Sequence, residues 1–140
     1  MKVTISGSRS FDDRLLVDAV VERLVERGDF INVGDARSGV DSMVRSELHA
    51  REHLVEDTDY RIFEADWTRH GRRAGYLRNE RMIRDADRFI AIFSPGQMTP
   101  GTKNALEMAW EKGIPISIYR DRRWFDEERD LSNPEDTTDG

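Results

Sequence analysis

Five short runs rich in β-branched and apolar residues punctuate the chain, and each is separated from the next by a segment of helical or polar character. The runs are Val3-Thr4-Ile5, Phe30-Ile31-Asn32-Val33, Tyr60-Arg61-Ile62-Phe63, Arg88 to Phe93 and Ile114 to Tyr119. Short apolar runs bounded by turn residues read as buried strands. After the first, Asp12-Asp13 offer capping oxygens, and Leu16, Val17, Val20, Val21, Leu24 and Val25 follow at helical spacing until Gly28. Val40, Met43, Val44 and Leu48 share a second helical face. A polar loop runs from the third strand through Gly75, then Leu77, Ile83 and Ala86 mark a short third helix. A fourth helix is expected from near Thr102 to Gly113. Strict alternation of strand and helix predicts an α/β protein. Right-handed crossovers then give a Rossmann-like three-layer α/β/α architecture around a mostly parallel five-stranded sheet.

The length of 140 residues suits one domain, and the absence of cysteine excludes thiol catalysis, thiolate metal sites and disulfides. No metal or cofactor is expected. No apolar run approaches the roughly 20 residues of a membrane helix, and the amino terminus is too charged for a signal peptide, so a cytoplasmic protein with no membrane partner is expected. The net charge of −6 is unevenly spread. Residues 120–140 carry eight acids against four arginines, which makes an acidic tail of net −4 beyond a domain spanning 1–119. Its polar end is expected to be partly disordered. Residues 69–84 hold six arginines and one acid, a local +5. Long nucleic acid is an unfavourable partner for such a chain, whereas a small phosphorylated ligand fits a locally basic cleft.

In an open α/β sheet, ligands bind outside the carboxyl ends of the strands. Glycine-containing loops fall there: Gly7-Ser8-Arg9, Gly34-Asp35-Ala36-Arg37-Ser38-Gly39 and Ser94-Pro95-Gly96 through Gly101. Such loops bring backbone N–H groups to an anion, and the following helix adds its positive end. Several specific chemistries are absent. Gly96 to Lys103 lacks the Gly-Lys-Ser/Thr order of a nucleoside-triphosphate loop. His49 and His53 have Ala50 where a zinc hydrolase needs Glu. Neither a nucleophile elbow nor a dinucleotide fingerprint occurs.

Gly7-Ser8-Arg9, Gly34 through Asp41, Ala65-Asp66-Trp67, Arg69-His70-Gly71, Ala74-Gly75, Arg78-Asn79 with Met82, and Gly101-Thr102 together resemble the YspA/YpsA-related branch of the SLOG superfamily. The match spans residues 3–118. The resemblance implies a Rossmann-like fold that binds a nucleotide or nucleotide-derived small molecule, in proteins that sense, sequester or process it, often in phage and bacterial conflict systems. It also implies a homo-oligomer, with the third and fourth helices in contact. Relatives include the Lonely Guy phosphoribohydrolases, which cleave the base–ribose bond of nucleoside monophosphates, and the DNA-processing protein A family, which binds single-stranded DNA. Arg78 is the counterpart of the Lonely Guy arginine. The Lonely Guy glutamate position is Ala105 here, and the nearest carboxylate, Glu107, is rotated by about 200° around the helix. Arg78 and Glu107 are thus the catalytic candidates.

The site expected from these residues seats a phosphate on the amides near Gly101 and Thr102, at the amino end of the fourth helix, with Arg9 or Arg78 adding charge-assisted hydrogen bonds. Asp35 or Asp41 accepts from ribose hydroxyls or a base amine, and Asn79 reads a base edge or holds the loop. Trp67 stacks on a base or anchors its loop, and Asp41 has a second possible role as a charge partner of its helix terminus. Gly7, Ser8, Gly34, Arg37, Ser38, Gly39, Asp66, Ser94, Pro95 and Gly96 complete the binding loops. Arg69, Arg72 and Arg73 face the ligand or solvent. Glycosidic cleavage would draw its carboxylate from Asp41, Asp66 or Glu107. Trp124 and Phe125 are expected to pin the tail to the body or to a neighbouring subunit.

Overall fold

The computed structural model describes residues 1–96 and 98–126. Five parallel strands, β1 (Lys2–Gly7), β2 (Phe30–Gly34), β3 (Tyr60–Phe63), β4 (Arg88–Ile92) and β5 (Ile116–Arg120), are joined by a sixth, β6 (Arg123–Asp126), which pairs antiparallel with β5. Their order is β3-β2-β1-β4-β5-β6. β1 pairs with both β2 and β4, so the strand order reverses beside it, and this is where a crevice opens in sheets of this type.

Helices α1 (Arg14–Glu26) and α2 (Val40–Ala50) cover one face, and α4 (Ala74–Arg84) and α5 (Pro100–Lys112) cover the other. The Asp13 side chain caps α1 by accepting from Leu16 N at 3.1 Å, and Val17, Val21 and Leu24 face inward as their spacing requires. Between α1 and α2, Arg51 is bonded to Asp18 at 2.9 Å and to Glu22 at 2.6 Å, and it also donates to Glu47 O. β4 explains its unbroken apolar run. Ile90 and Ile92 pack beneath α1 and α2, while Phe89, Ala91 and Phe93 pack beneath α5, so both sides of the strand are buried.

Two features extend the sequence expectation. The polar loop after β3 contains a short helix, α3 (Trp67–His70), followed by a 3₁₀ turn at Gly71–Arg73, and α4 then begins at Ala74, three residues before Leu77. Asp66 caps α3 by accepting from Arg69 N at 3.0 Å. The second feature is β6, which makes the sheet six-stranded. Asp121 and Arg122 both sit in the left-handed region (φ 50° and 64°) and close a two-residue hairpin between β5 and β6. Trp124 packs edge-on against Tyr119 at 5.1 Å, and Phe125 packs into the α5-side core. These two aromatics therefore fasten β6 to the sheet. Residues 127–140, most of the expected acidic tail, lie outside the described residues.

Candidate functional site

At the carboxyl end of β1 lies a cleft of about 410 Å³. Its walls are Gly7, Arg9 and Ser10 after β1, Ala36 and Asp41 around the start of α2, Arg78 and Asn79 on α4, and Thr99 to Thr102 at the start of α5. The floor is set by close approach at Gly34. A side chain there would bring a Cβ to 2.7 Å from Asp41 Oδ2 and 3.2 Å from the Arg78 guanidinium carbon, so both polar groups lie over the bare backbone of β2. Gly39 is required for a different reason. It has φ 73° and ψ −145°, and a Cβ would strike Ser8 O, the atom that accepts from Val40 N to join the first two loops.

Arg78 and Asn79 are consecutive on α4, both are buried, and they reach in different directions. Arg78, 8% exposed, donates from Nη1 to Asp35 Oδ1 at 2.6 Å, while its Nε is buried with no hydrogen-bond partner among the described residues. The other Asp35 oxygen accepts from Ala65 N at 3.2 Å, tying the loop after β3 to the loop after β2. Asn79 donates to Gly101 O at 3.1 Å and approaches Asn104 at 3.5 Å. Asp41 is 6% exposed and accepts from Ala36 N at 3.3 Å. Burial pushes its carboxyl above the ordinary aspartate value, against the opposing pull of Arg78. Pro100 occupies the first turn of α5, where a missing N–H costs nothing, and Thr102 is buried beside it.

The cleft brings together Gly7, Arg9, Asp41, Arg78, Asn79, Gly101 and Thr102 from the expected set. Ser8, Gly34, Asp35, Gly39 and Ser94 stand behind it as supports. Ser8 Oγ accepts from Ser94 N at 3.1 Å, and Ser94 shares a hydrogen bond with Ser10 at 2.8 Å. Arg37 and Ser38 are exposed on the loop before α2. Pro95 and Gly96 are also exposed, and Gly96 N donates to Asp121 Oδ1 at 2.9 Å, which links this loop to the β5–β6 hairpin. Asp66 is exposed at its cap. Trp67 is 49% exposed with its ring edge over Gly75, outside the cleft lining. Glu107 is exposed on α5 and is likewise not part of the lining, whereas Ala105 is fully buried.

The basic segment 69–84 does not converge on the cleft. Arg81 donates to Glu64 O and lies over Phe63, Arg84 pairs with Glu80 at 2.6 Å, and Arg69, Arg72 and Arg73 are exposed. Of the six arginines only Arg78 lines it. One residue that the sequence reading missed shapes the site. Arg45 on α2 donates to Gly34 O and Ala36 O at 2.8 Å each and holds the β2–α2 loop in place. Its position one turn after Asp41 was the available signal, but the two carbonyls meet it only in the fold. Among the described residues no group of three or more His, Asp or Glu is placed to hold a metal ion, and no helix is long and apolar enough to cross a membrane.

No protein-family model matches the chain. It is 32% identical over 124 residues to the gene 61 protein of Mycobacterium phage D29, an alignment covering 86% of this chain and 98% of the phage protein. Among solved structures, the molybdenum cofactor carrier protein MCP from Chlamydomonas reinhardtii is similar with a TM-score of 0.57 over 84% of this chain and 74% of that one. At 13% identity this likeness concerns the fold, which is Rossmann-like in both.

Proposed function

The chain belongs to the family of the gene 61 protein of Mycobacterium phage D29, and within that family we propose that it binds a nucleotide or nucleotide-derived small molecule, with a phosphate on the amides at the start of α5. The observation that carries this reading is the buried Arg78 Nε, which has no partner among the described residues and belongs to a side chain lining the same cleft as Gly101 and Thr102. A buried guanidinium N–H without an acceptor is costly, and an anionic oxygen is the acceptor that suits it. The helix terminus opposite adds its positive end. A molybdenum cofactor carrier with the same fold supports a small-molecule ligand. The long motif from Asp66 to Asn79 supports membership of the YspA/YpsA-related branch of the SLOG superfamily.

The second reading is hydrolysis of the base–ribose bond of a nucleoside monophosphate. With Glu107 exposed and Asp66 used as a cap, Asp41 is the one carboxylate lining the cleft among the described residues, and its place beside Arg78 favours it for such a reaction. Calorimetric titration with a panel of nucleoside monophosphates, each mixture then chromatographed for free base, separates the readings. Binding without base release supports a binder. Base release that disappears in Arg78→Ala supports the hydrolase. A panel in which nothing binds overturns both.

We further propose a cytoplasmic homo-oligomer formed through α4 and α5, whose half-exposed Tyr76 and Trp110 supply apolar area. Long nucleic acid is disfavoured by the net charge of −6 and by the dispersal of the 69–84 arginines.

A further inference from the structure

Asp41 is the sole carboxylate lining the cleft among the described residues, and it is almost completely buried. Two guanidinium groups flank it, and their terminal nitrogens are directed elsewhere. Arg45 on its own helix spends both terminal nitrogens on Gly34 O and Ala36 O. Arg78 on α4 gives Nη1 to Asp35 and turns Nη2 toward Asn79 at 3.5 Å. Asp35, on the loop before α2, adds a second negative charge to the neighbourhood, and Arg9 after β1 lines the far wall. Among the described residues the only hydrogen bond to Asp41 is the 3.3 Å one from Ala36 N. A carboxylate held this way is poorly compensated, and a second anion brought into the same cleft would be repelled by it.

We infer that Asp41 is a specificity-determining hydrogen-bond donor: it takes one proton from solvent as an anionic ligand enters and meets a phosphoryl-type oxygen as a neutral carboxylic acid. No covalent bond forms, and the proton returns to solvent when the ligand leaves. The inference rests on the anion-binding reading of the cleft. The burial that raises Asp41 above the usual aspartate range eases the uptake. The cleft is thereby selective for ligands offering a bare acceptor oxygen there, against ligands offering only amines or ammonium groups.

Sulfate is the probe, because its charge is constant between about pH 5 and pH 8, unlike that of phosphate. Binding is followed through the Gly101 and Thr102 amide resonances at several pH values. The expected result is an affinity that falls with rising pH, approaching tenfold per unit, as one linked proton requires. In Asp41→Asn the slope should vanish, with binding at pH 8 no weaker than that of the unmodified protein at the acid end. His49, His53 and His70 all lie outside the lining. Equal sulfate affinity at all pH values overturns the role of Asp41 and leaves the anion site standing. Silent Gly101 and Thr102 amides at every pH overturn both. Should Asp41→Asn fail to fold, the Asp41 carboxyl carbon resonance of the unmodified protein decides: a midpoint raised by sulfate supports the inference, and an unmoved midpoint overturns it.

Discussion

Asn79 Nδ2 donates to the carbonyl oxygen of Gly101 at 3.1 Å, which ties the middle of α4 to the first turn of α5. The neighbouring Arg78 is bonded to Asp35 on the opposite side of the cleft. One turn of α4 thus sets the distance between the β2 loop and the α5 terminus, which are the two sides a ligand would have to bridge.

Asn79→Ala should therefore cost more in binding than in folding. Losing a neutral hydrogen bond removes about 1 kcal/mol of stability. Affinity for a nucleoside monophosphate should drop by more than about tenfold as α5 loses its tether. Thermal melting and calorimetric titration of the same sample compare the two.

Arg78 and Asp35 should behave oppositely. Arg78→Met removes the buried cation and should abolish measurable monophosphate binding, with a loss of about 1.5–3 kcal/mol in stability for the charged hydrogen bond. Asp35→Asn leaves the guanidinium in place with a weaker competitor, so affinity should rise. Parallel titrations of the two variants check the signs.

Two glycine substitutions should separate folding from ligand approach. Gly39→Ala puts a side chain into a backbone region that is nearly glycine-only and against Ser8 O, so it should lower the melting temperature severely. Gly101→Ala meets nothing within 4 Å and lies in a helix, so it should gain about 0.5–1 kcal/mol while weakening the anion site. Urea unfolding of both variants, with sulfate titration of the second, tests the pair.

Lys112 donates from Nζ to Ile83 O, Arg84 O and Ala86 O at 2.7–3.0 Å, so the last residue of α5 caps the end of α4. Lys112→Met keeps much of the stem but none of the donors. It should cost about 1–2 kcal/mol in urea unfolding. Ligand affinity should not change, because the contact is at the other end of both helices.

The hydrogen bond from Arg51 holds the Asp18 carboxyl below the usual aspartate value of 3.8. A depressed acid contributes stability that is present above the unfolded value and lost as pH falls through the folded one. Arg51→Gln should therefore destabilise the protein modestly at pH 7. The gap to the unmodified protein should narrow below pH 3.8. Urea midpoints at pH 7 and pH 2.5 give the comparison.

Local physics made much of this fold legible in advance. β4 shows as a continuous apolar run because both its faces are covered, and α1 shows through its Asp13 cap and inward-facing Val17, Val21 and Leu24. The loops carrying Gly7, Gly34 and Gly39 were readable because close backbone approach needs those residues. β6 was not, because its turn uses Asp121 and Arg122 in the left-handed region and carries no glycine signal. Charge counting along the chain also overstated the basic cleft. It could not see that Arg81 turns back onto Phe63 or that Arg84 pairs along its own helix. The work of Arg45 depends on two carbonyls positioned by the fold, which no local pattern encodes.

β6 runs against the five strands beside it, and Asp126 comes to rest opposite Ser117, near the start of β5. The parallel strands point their carboxyl ends at the cleft, so β6 ends at the opposite rim of the sheet. A surface tether or fluorescent reporter joined after β6 would begin its path there. An attachment point at Asp126 therefore lies away from the entrance to the binding site, which suits immobilised biosensor measurements.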